Sequence, residues 1–107
     1  MSAHFHLFAY APLRGGVSMA SLLEGAKLVG RATVPGTLHE MREGHPALVL
    51  AGHGIVPGEV WRCPASLLWR LDEHEGVEEG RVRRVGVRAG PYACWTYVAG
   101  ARMVRRG

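Results

Sequence analysis

The hydrophobic pattern alternates at the N-terminus. Phe5, Leu7 and Ala9 fall on one face of an extended segment, and His4, His6, Phe8 and Tyr10 on the other. Both faces carry apolar residues, which predicts a strand in the middle of a sheet. Further apolar runs predict strands over 28–34, 47–50 and 55–62, with 37–41 as a continuation or partner of the first beyond the break at Pro35-Gly36. Two β-rich runs, Val82 to Val87 and Tyr92 to Val98, flank Ala89-Gly90-Pro91 and predict a hairpin.

The period changes over residues 65–75. At about 100° per residue, Leu67, Leu71 and Leu68 span an arc of roughly 100° on a helix. Pro64 fits the first turn, where its missing N–H costs nothing, and Gly76 fits a left-handed stop. Glu75 falls inside the apolar arc, Asp72 and His74 at its edges, and Glu73 on the opposite side. A second short helix is expected from about Met19 to Glu24, with Ser18 as its cap and Gly25 as its end. Turns are expected at Arg42-Glu43-Gly44-His45-Pro46 and Gly52-His53-Gly54. Roughly six strands and two short helices predict an α+β fold, a mixed or mainly antiparallel sheet curled towards a barrel.

Composition narrows this picture. A chain of 107 residues makes one domain, 1–107, with a basic tail over 100–107 that has little to bury. Hydrophobic residues at 48% and charged residues at 21% are ordinary for a soluble globular protein. No apolar run approaches the ~18 residues of a membrane helix, and no secretory signal is visible at the N-terminus. Cys63 and Cys94 have no metal-like spacing and no activating neighbour, so they read as inert buried thiols in a reduced, cytoplasmic protein. The net charge is +4. The arginines at 81, 83, 84 and 88, and at 102, 105 and 106, come without a recognition helix or interleaved aromatics. They read as a solvated strand and tail rather than a nucleic-acid surface. Trp61, Trp69 and Trp95 read as core or interface fillers.

Glu75 is the residue whose position asks for an explanation. A carboxylate on a core-facing stripe costs free energy unless it is paired or protonated, which makes it the candidate for chemistry. Fraying of the helix before Glu75 is the plainer reading. The loop Ala11-Pro12-Leu13-Arg14-Gly15-Gly16 follows a central strand, where backbone donors converge on an anion. It carries neither a phosphate-loop nor a dinucleotide-binding pattern. His4 and His6 share a strand face, as metal ligands do, but have no third ligand at a telling spacing.

Four pieces in order carry a resemblance: Phe8-Ala9-Tyr10-x-x-Leu13-Arg14, Val56-Pro57-Gly58-Glu59-Val60-Trp61, Leu71-Asp72-Glu73-His74-Glu75-Gly76 and Cys94-Trp95-Thr96-Tyr97-Val98. Over roughly residues 5–98 the chain resembles the gamma-glutamylcyclotransferase-like superfamily, which includes the gamma-glutamylamine cyclotransferases and AIG2-like proteins. The resemblance implies a small mixed, mainly antiparallel β-barrel with short helices packed outside. It implies that Glu75 is the general acid/base, that Tyr10, Ala11, Pro12, Leu13 and Arg14 form the substrate-binding loop, and that Tyr97 lines the cavity. The implied substrate is a small gamma-glutamyl amine or peptide, with no cofactor, no metal, no nucleic acid and no membrane. Members are monomers or homodimers.

Three positions depart from the family pattern. Ala11 stands where a Gly is usual and Pro12 where a Ser or Thr is usual; a Tyr that relatives often carry is Val82. Pro12 has neither a hydroxyl nor an N–H, and a lost donor to a charged group is worth about 1.5–3 kcal/mol. Two readings therefore stand: a cyclotransferase that uses Glu75, and a member of the same fold that binds a small anion or a partner without turnover.

Overall fold

The computed structural model describes residues 3–10, 23–40, 46–78, 80 and 82–100. The loop residues Ala11, Pro12, Leu13 and Arg14, most of the segment expected as the first helix, the 42–45 turn and the basic tail lie outside them. In chain order the strands are β1 (His4–Ala9), β2 (Lys27–Pro35), β3 (Thr37–Glu40), β4 (Pro46–Val49) and β5 (Ile55–Pro64). A single 3-10 turn, Ala65–Leu67, leads into helix α1 (Leu68–Glu75), and a hairpin of β6 (Val82–Ala89) and β7 (Tyr92–Ala99) completes the set. The seven strands among the described residues match the seven runs one for one, one more than the rough total of six. Pro64 ends β5 in extended conformation and precedes the 3-10 turn rather than sitting inside the helix. Pro46 belongs to β4, not to the turn before it.

One mixed sheet runs β2-β5-β1-β7-β4-β3, with β6 on β7. The ladders β2–β5, β5–β1, β3–β4 and β6–β7 are antiparallel, and β7 is parallel to both β1 and β4. Among the described residues no pairing joins β2 to β3, so the expected barrel is a loose one that does not close. β1 lies between β5 and β7, as its two apolar faces require.

β7 has three partners and only two edges. β6 runs along one edge from Tyr92 to Ala99. The other edge is divided: β1 meets it at Trp95 and β4 meets it at Val98. The sheet therefore forks beside β7, and β1 ends within the fork. Thr96, fully buried, ties the seam by donating its hydroxyl to the Phe8 carbonyl at 2.8 Å.

The alternation along β1 feeds two cores. Phe8 packs with Val34, Leu48, Val56, Val60, Ala89, Cys94 and Val98 on one side. Leu7 and Ala9 pack on the other side with Cys63, Tyr97, Leu67 of the 3-10 turn and Leu71 of α1. Helix α1 is thus pinned to the sheet by the arc that the sequence marks. Trp69 is 64% exposed and fills no core.

Helix α1 stops as the Gly76 signal predicts. Gly76 adopts φ 87° and ψ 35°, the left-handed region. The Val77 N–H reaches back to the Asp72 carbonyl at 3.1 Å, and the Gly76 N–H is shared between the carbonyls of Asp72 and Glu73 at 3.1 and 3.2 Å. This is the Schellman arrangement, which fixes the last turn and the direction of its final residue, Glu75. Gly76→Ala would put a Cβ into a left-handed residue, at a cost of about 1–2 kcal/mol. Chemical denaturation is expected to show that loss.

Candidate functional site

The end of α1 and the end of β1 meet at β7. Glu73 is exposed, whereas Glu75, two residues on, is half-buried. Tyr10 follows β1 directly and is also half-buried; Tyr97 is buried on β7. The Glu75 carboxylate lies close enough to both phenols to oppose their ionisation. A carboxylate and two tyrosines that the sequence singles out therefore share one place, at the root of the 11–14 loop.

The two phenols have partners within the protein. Tyr10 donates its hydroxyl to the Tyr97 carbonyl and accepts the Leu48 N–H at 3.2 Å. Its oxygen thus sits in the fork, bridging β4 and β7 where Leu48 stands opposite Val98. Tyr97 donates its hydroxyl to Asp72 Oδ1 at 2.8 Å, across the interface of β7 and α1. Both hydroxyl protons are spent on structure, so what these residues offer a ligand is ring surface.

Burial pushes the Tyr10 phenol from 10.0 up to about 12; the Leu48 N–H works against the rise and the Glu75 charge adds to it. Tyr97 moves the same way. Burial is the main cause, followed by the hydrogen bond to Asp72, the Asp72 charge and the Glu75 charge, with Arg84 opposing. A phenol held neutral in the fold stabilises it. For Tyr10 that contribution is full below pH 10.0 and is lost as pH climbs through about 12. Urea denaturation at stepped alkaline pH is expected to show stability falling across this window. Tyr10→Phe is less stable at neutral pH, because it leaves the Leu48 N–H without this acceptor, yet it loses less over the alkaline range.

Two neighbours were not legible as site residues. Asp72 lies at the edge of the apolar arc, and Arg84 belongs to a strand that reads as solvated. Arg84 Nε is 2.9 Å from Asp72 Oδ1, the oxygen that also accepts from Tyr97. A signal for this was present. A tight turn at Gly90-Pro91 puts Ala89 opposite Tyr92, and counting back puts Arg84 opposite Tyr97.

Other candidates lie apart from this place. His4 Nδ1 is 3.4 Å from Arg62 Nη2, and the His6 ring tilts against Tyr92 at 5.0 Å. Among the described residues no group of three or more His, Cys, Asp or Glu could hold a metal. Cys63 and Cys94 are free and buried. Burial pushes the Cys63 thiol up to about 11 and raises that of Cys94, which leaves both poor nucleophiles. Among the described residues no helix is long and apolar enough to cross a membrane.

Comparison with known proteins bears on this arrangement. Residues 7–106 match the family described as gamma-glutamyl cyclotransferase, AIG2-like. Among solved structures, a gamma-glutamyl cyclotransferase superposes with a TM-score of 0.76 at 19% identity, over 91% of this chain and 67% of that one. An AIG2-like protein from Mus musculus gives 0.72 at 23% identity, over 90% of this chain and 77% of its own. At these identities the two show the fold alone. A protein from Pyrococcus horikoshii gives 0.72 at 26% identity, over 96% and 82%. No curated protein matches the chain significantly.

Proposed function

Because the chain belongs to the gamma-glutamyl cyclotransferase, AIG2-like family, we propose that it is a cyclotransferase that releases 5-oxoproline from a small gamma-glutamyl amine or peptide, with Glu75 as general acid and base. The observation that carries this reading is the split between the two glutamates: Glu73 faces water, while Glu75 is half-buried beside Tyr10 and Tyr97.

In this reaction the α-amine of the gamma-glutamyl group attacks its own γ-carbonyl carbon. A C–N bond forms within the substrate, the bond to the departing amine breaks, and no oxidant or reductant takes part. The α-amine has an ordinary pKa of about 7.7–8 and is largely protonated near neutral pH. Glu75 accepts the proton that the attacking nitrogen sheds and returns it to the leaving nitrogen. A partly desolvated carboxylate has a proton affinity suited to both steps. Backbone amides of residues 10–14 receive the developing oxyanion or the α-carboxylate. Pro12 contributes no N–H to that set, so Tyr10, Ala11, Leu13 and Arg14 carry it. The Arg14 guanidinium neutralises substrate charge or pins the loop. The ring of Tyr97 and the neutral Tyr10 lie beside Glu75, and neither a metal nor an organic cofactor is required. The buried thiols fit a reducing compartment such as the cytoplasm.

The test offers the purified protein a panel of gamma-glutamyl amines, amino acids and peptides and measures 5-oxoproline by mass spectrometry. Formation with at least one member is expected. Ala11 and Pro12 motivate the second reading, in which the same fold binds a small anion or a partner without turnover. Saturable binding of the panel with no 5-oxoproline would favour it over catalysis.

A further inference from the structure

Asp72, Arg84, Trp95 and Tyr97 form a connected set at the last turn of α1, of which the proposed chemistry uses only the ring of Tyr97. Arg84 and Tyr97 are directly opposite on β6 and β7, and Trp95 is two residues before Tyr97 on the same face. The Arg84 guanidinium carbon lies 4.4 Å from the centre of a Trp95 ring. From there its Nε lies 2.9 Å from Asp72 Oδ1, an ion-pair contact without the alignment of a hydrogen bond, and the Tyr97 hydroxyl donates to the same oxygen at 2.8 Å.

An isolated surface ion pair contributes little, because two long side chains must be ordered in water. This pair differs. Its side chains are 26% and 24% exposed, and each partner is already held by a second contact. The indole holds Arg84 and the phenol holds Asp72, so the ordering cost is shared. Asp72 is also the residue whose carbonyl receives the Gly76 and Val77 N–H groups. Side chain and main chain of one residue thus fasten the last turn both to the sheet and to its own cap. Glu75 follows three residues later, on the adjoining part of the helix surface. An Asp72 carboxylate without Arg84 would also set a bare like charge beside it.

We propose that Arg84, Asp72 and Tyr97 are positioning residues: seated on Trp95, Arg84 holds the Asp72 carboxylate, and the shared oxygen anchors the turn that presents Glu75. This rests on the assignment of Glu75 to catalysis. Among the described residues the groups near that carboxylate include Tyr10 after β1 and Tyr97 on β7, with Asp72 three residues back on its own helix and Arg84 on β6 balancing Asp72.

The test uses Arg84→Met, Tyr97→Phe, their double variant and Arg84→Lys, with two readouts. The first is amide hydrogen exchange over residues 73–77, set against exchange in β1 and β5. The second is kcat and KM with whichever gamma-glutamyl compound is turned over. Arg84→Met is expected to speed exchange in the last turn about tenfold while the strands keep their protection. It is expected to lower kcat about tenfold with KM changed less than about twofold. Arg84→Lys recovers part of both, because it keeps the charge and loses the guanidinium plane that lies over Trp95. The double variant costs less than the product of the single effects, because both act through Asp72. Unchanged exchange over 73–77 in Arg84→Met and Tyr97→Phe overturns the anchoring, whatever the activity. Exchange that rises in the strands as much as in the last turn overturns it too, since that marks a general loss of stability. Faster exchange confined to the last turn, in a protein whose wild type forms no 5-oxoproline, supports the anchor and removes the catalytic assignment instead.

Discussion

Glu75→Gln is expected to lower the rate of 5-oxoproline formation by about 10²–10⁴-fold, the usual contribution of a positioned general acid/base. The substitution keeps the shape of the side chain and much of its capacity to hydrogen-bond, but removes its negative charge and its ability to take up and release a proton. KM is therefore expected to stay within about threefold, so that the loss falls on kcat. Glu73→Gln serves as the internal control: the same change two residues away, on the exposed side, leaves both constants alone. The variant also has a signature that needs no substrate. The Glu75 charge helps to raise the Tyr10 and Tyr97 phenols, so its removal lets both ionise at lower pH. Ultraviolet titration of tyrosinate absorbance is expected to show the alkaline transition starting earlier than in wild type. A variant that keeps wild-type kcat refutes the catalytic role, and an unmoved tyrosinate titration refutes the electrostatic contact on which the site is built.

The inward set of Glu75 was legible because it depends on one helix alone. The period places it relative to Leu67 and Leu71, and Gly76 says where the helix ends. The same wheel puts Trp69 on the outer side, near Glu73. Reading that tryptophan as core weighed its size against its position, and position prevailed. The hairpin at Ala89-Gly90-Pro91 and the central place of β1 were legible for similar local reasons. What the sequence pattern could not supply is set by partners distant in the chain. The parallel pairing of β1 and β4 with one edge of β7 creates the fork, and only the fork explains why the Tyr10 hydroxyl turns to Tyr97 and Leu48 instead of a ligand. Taken singly, Arg84 reads as part of a solvated strand and Asp72 lies only at the edge of the apolar arc. Their meeting needs both the hairpin register and the docking of α1 on it.

Gly58→Ala is expected to be the most damaging small change to the fold. Gly58 stands on β5 opposite Ala32 of β2, one residue from the pair of Glu59 with Ala9. A Cβ at this position would lie 2.6 Å from the Ala9 carbonyl oxygen, 2.6 Å from Phe8 Cζ and 2.8 Å from Phe8 Cε1. Neither neighbour yields cheaply. Phe8 is 1% exposed in a packed core, and the Ala9 carbonyl is main chain at the end of β1. Overpacking of this kind costs about 1–3 kcal/mol. In a domain of this size that lowers Tm by roughly 5–20 °C. The cost also falls next to the site, since Ala9 joins Tyr10 and the loop that follows. Activity measured well below the melting transition is therefore expected to drop beyond the loss of folded protein. Phe8→Leu in the Gly58→Ala background separates the two contacts: it frees the ring clash but not the carbonyl clash. Partial recovery of Tm with no recovery of turnover is the expected outcome. Melting of Gly58→Ala within about 2 °C of wild type would show that β1 and β5 do not approach as closely as the fork requires, and Tyr10 would then have no fixed place from which to close it.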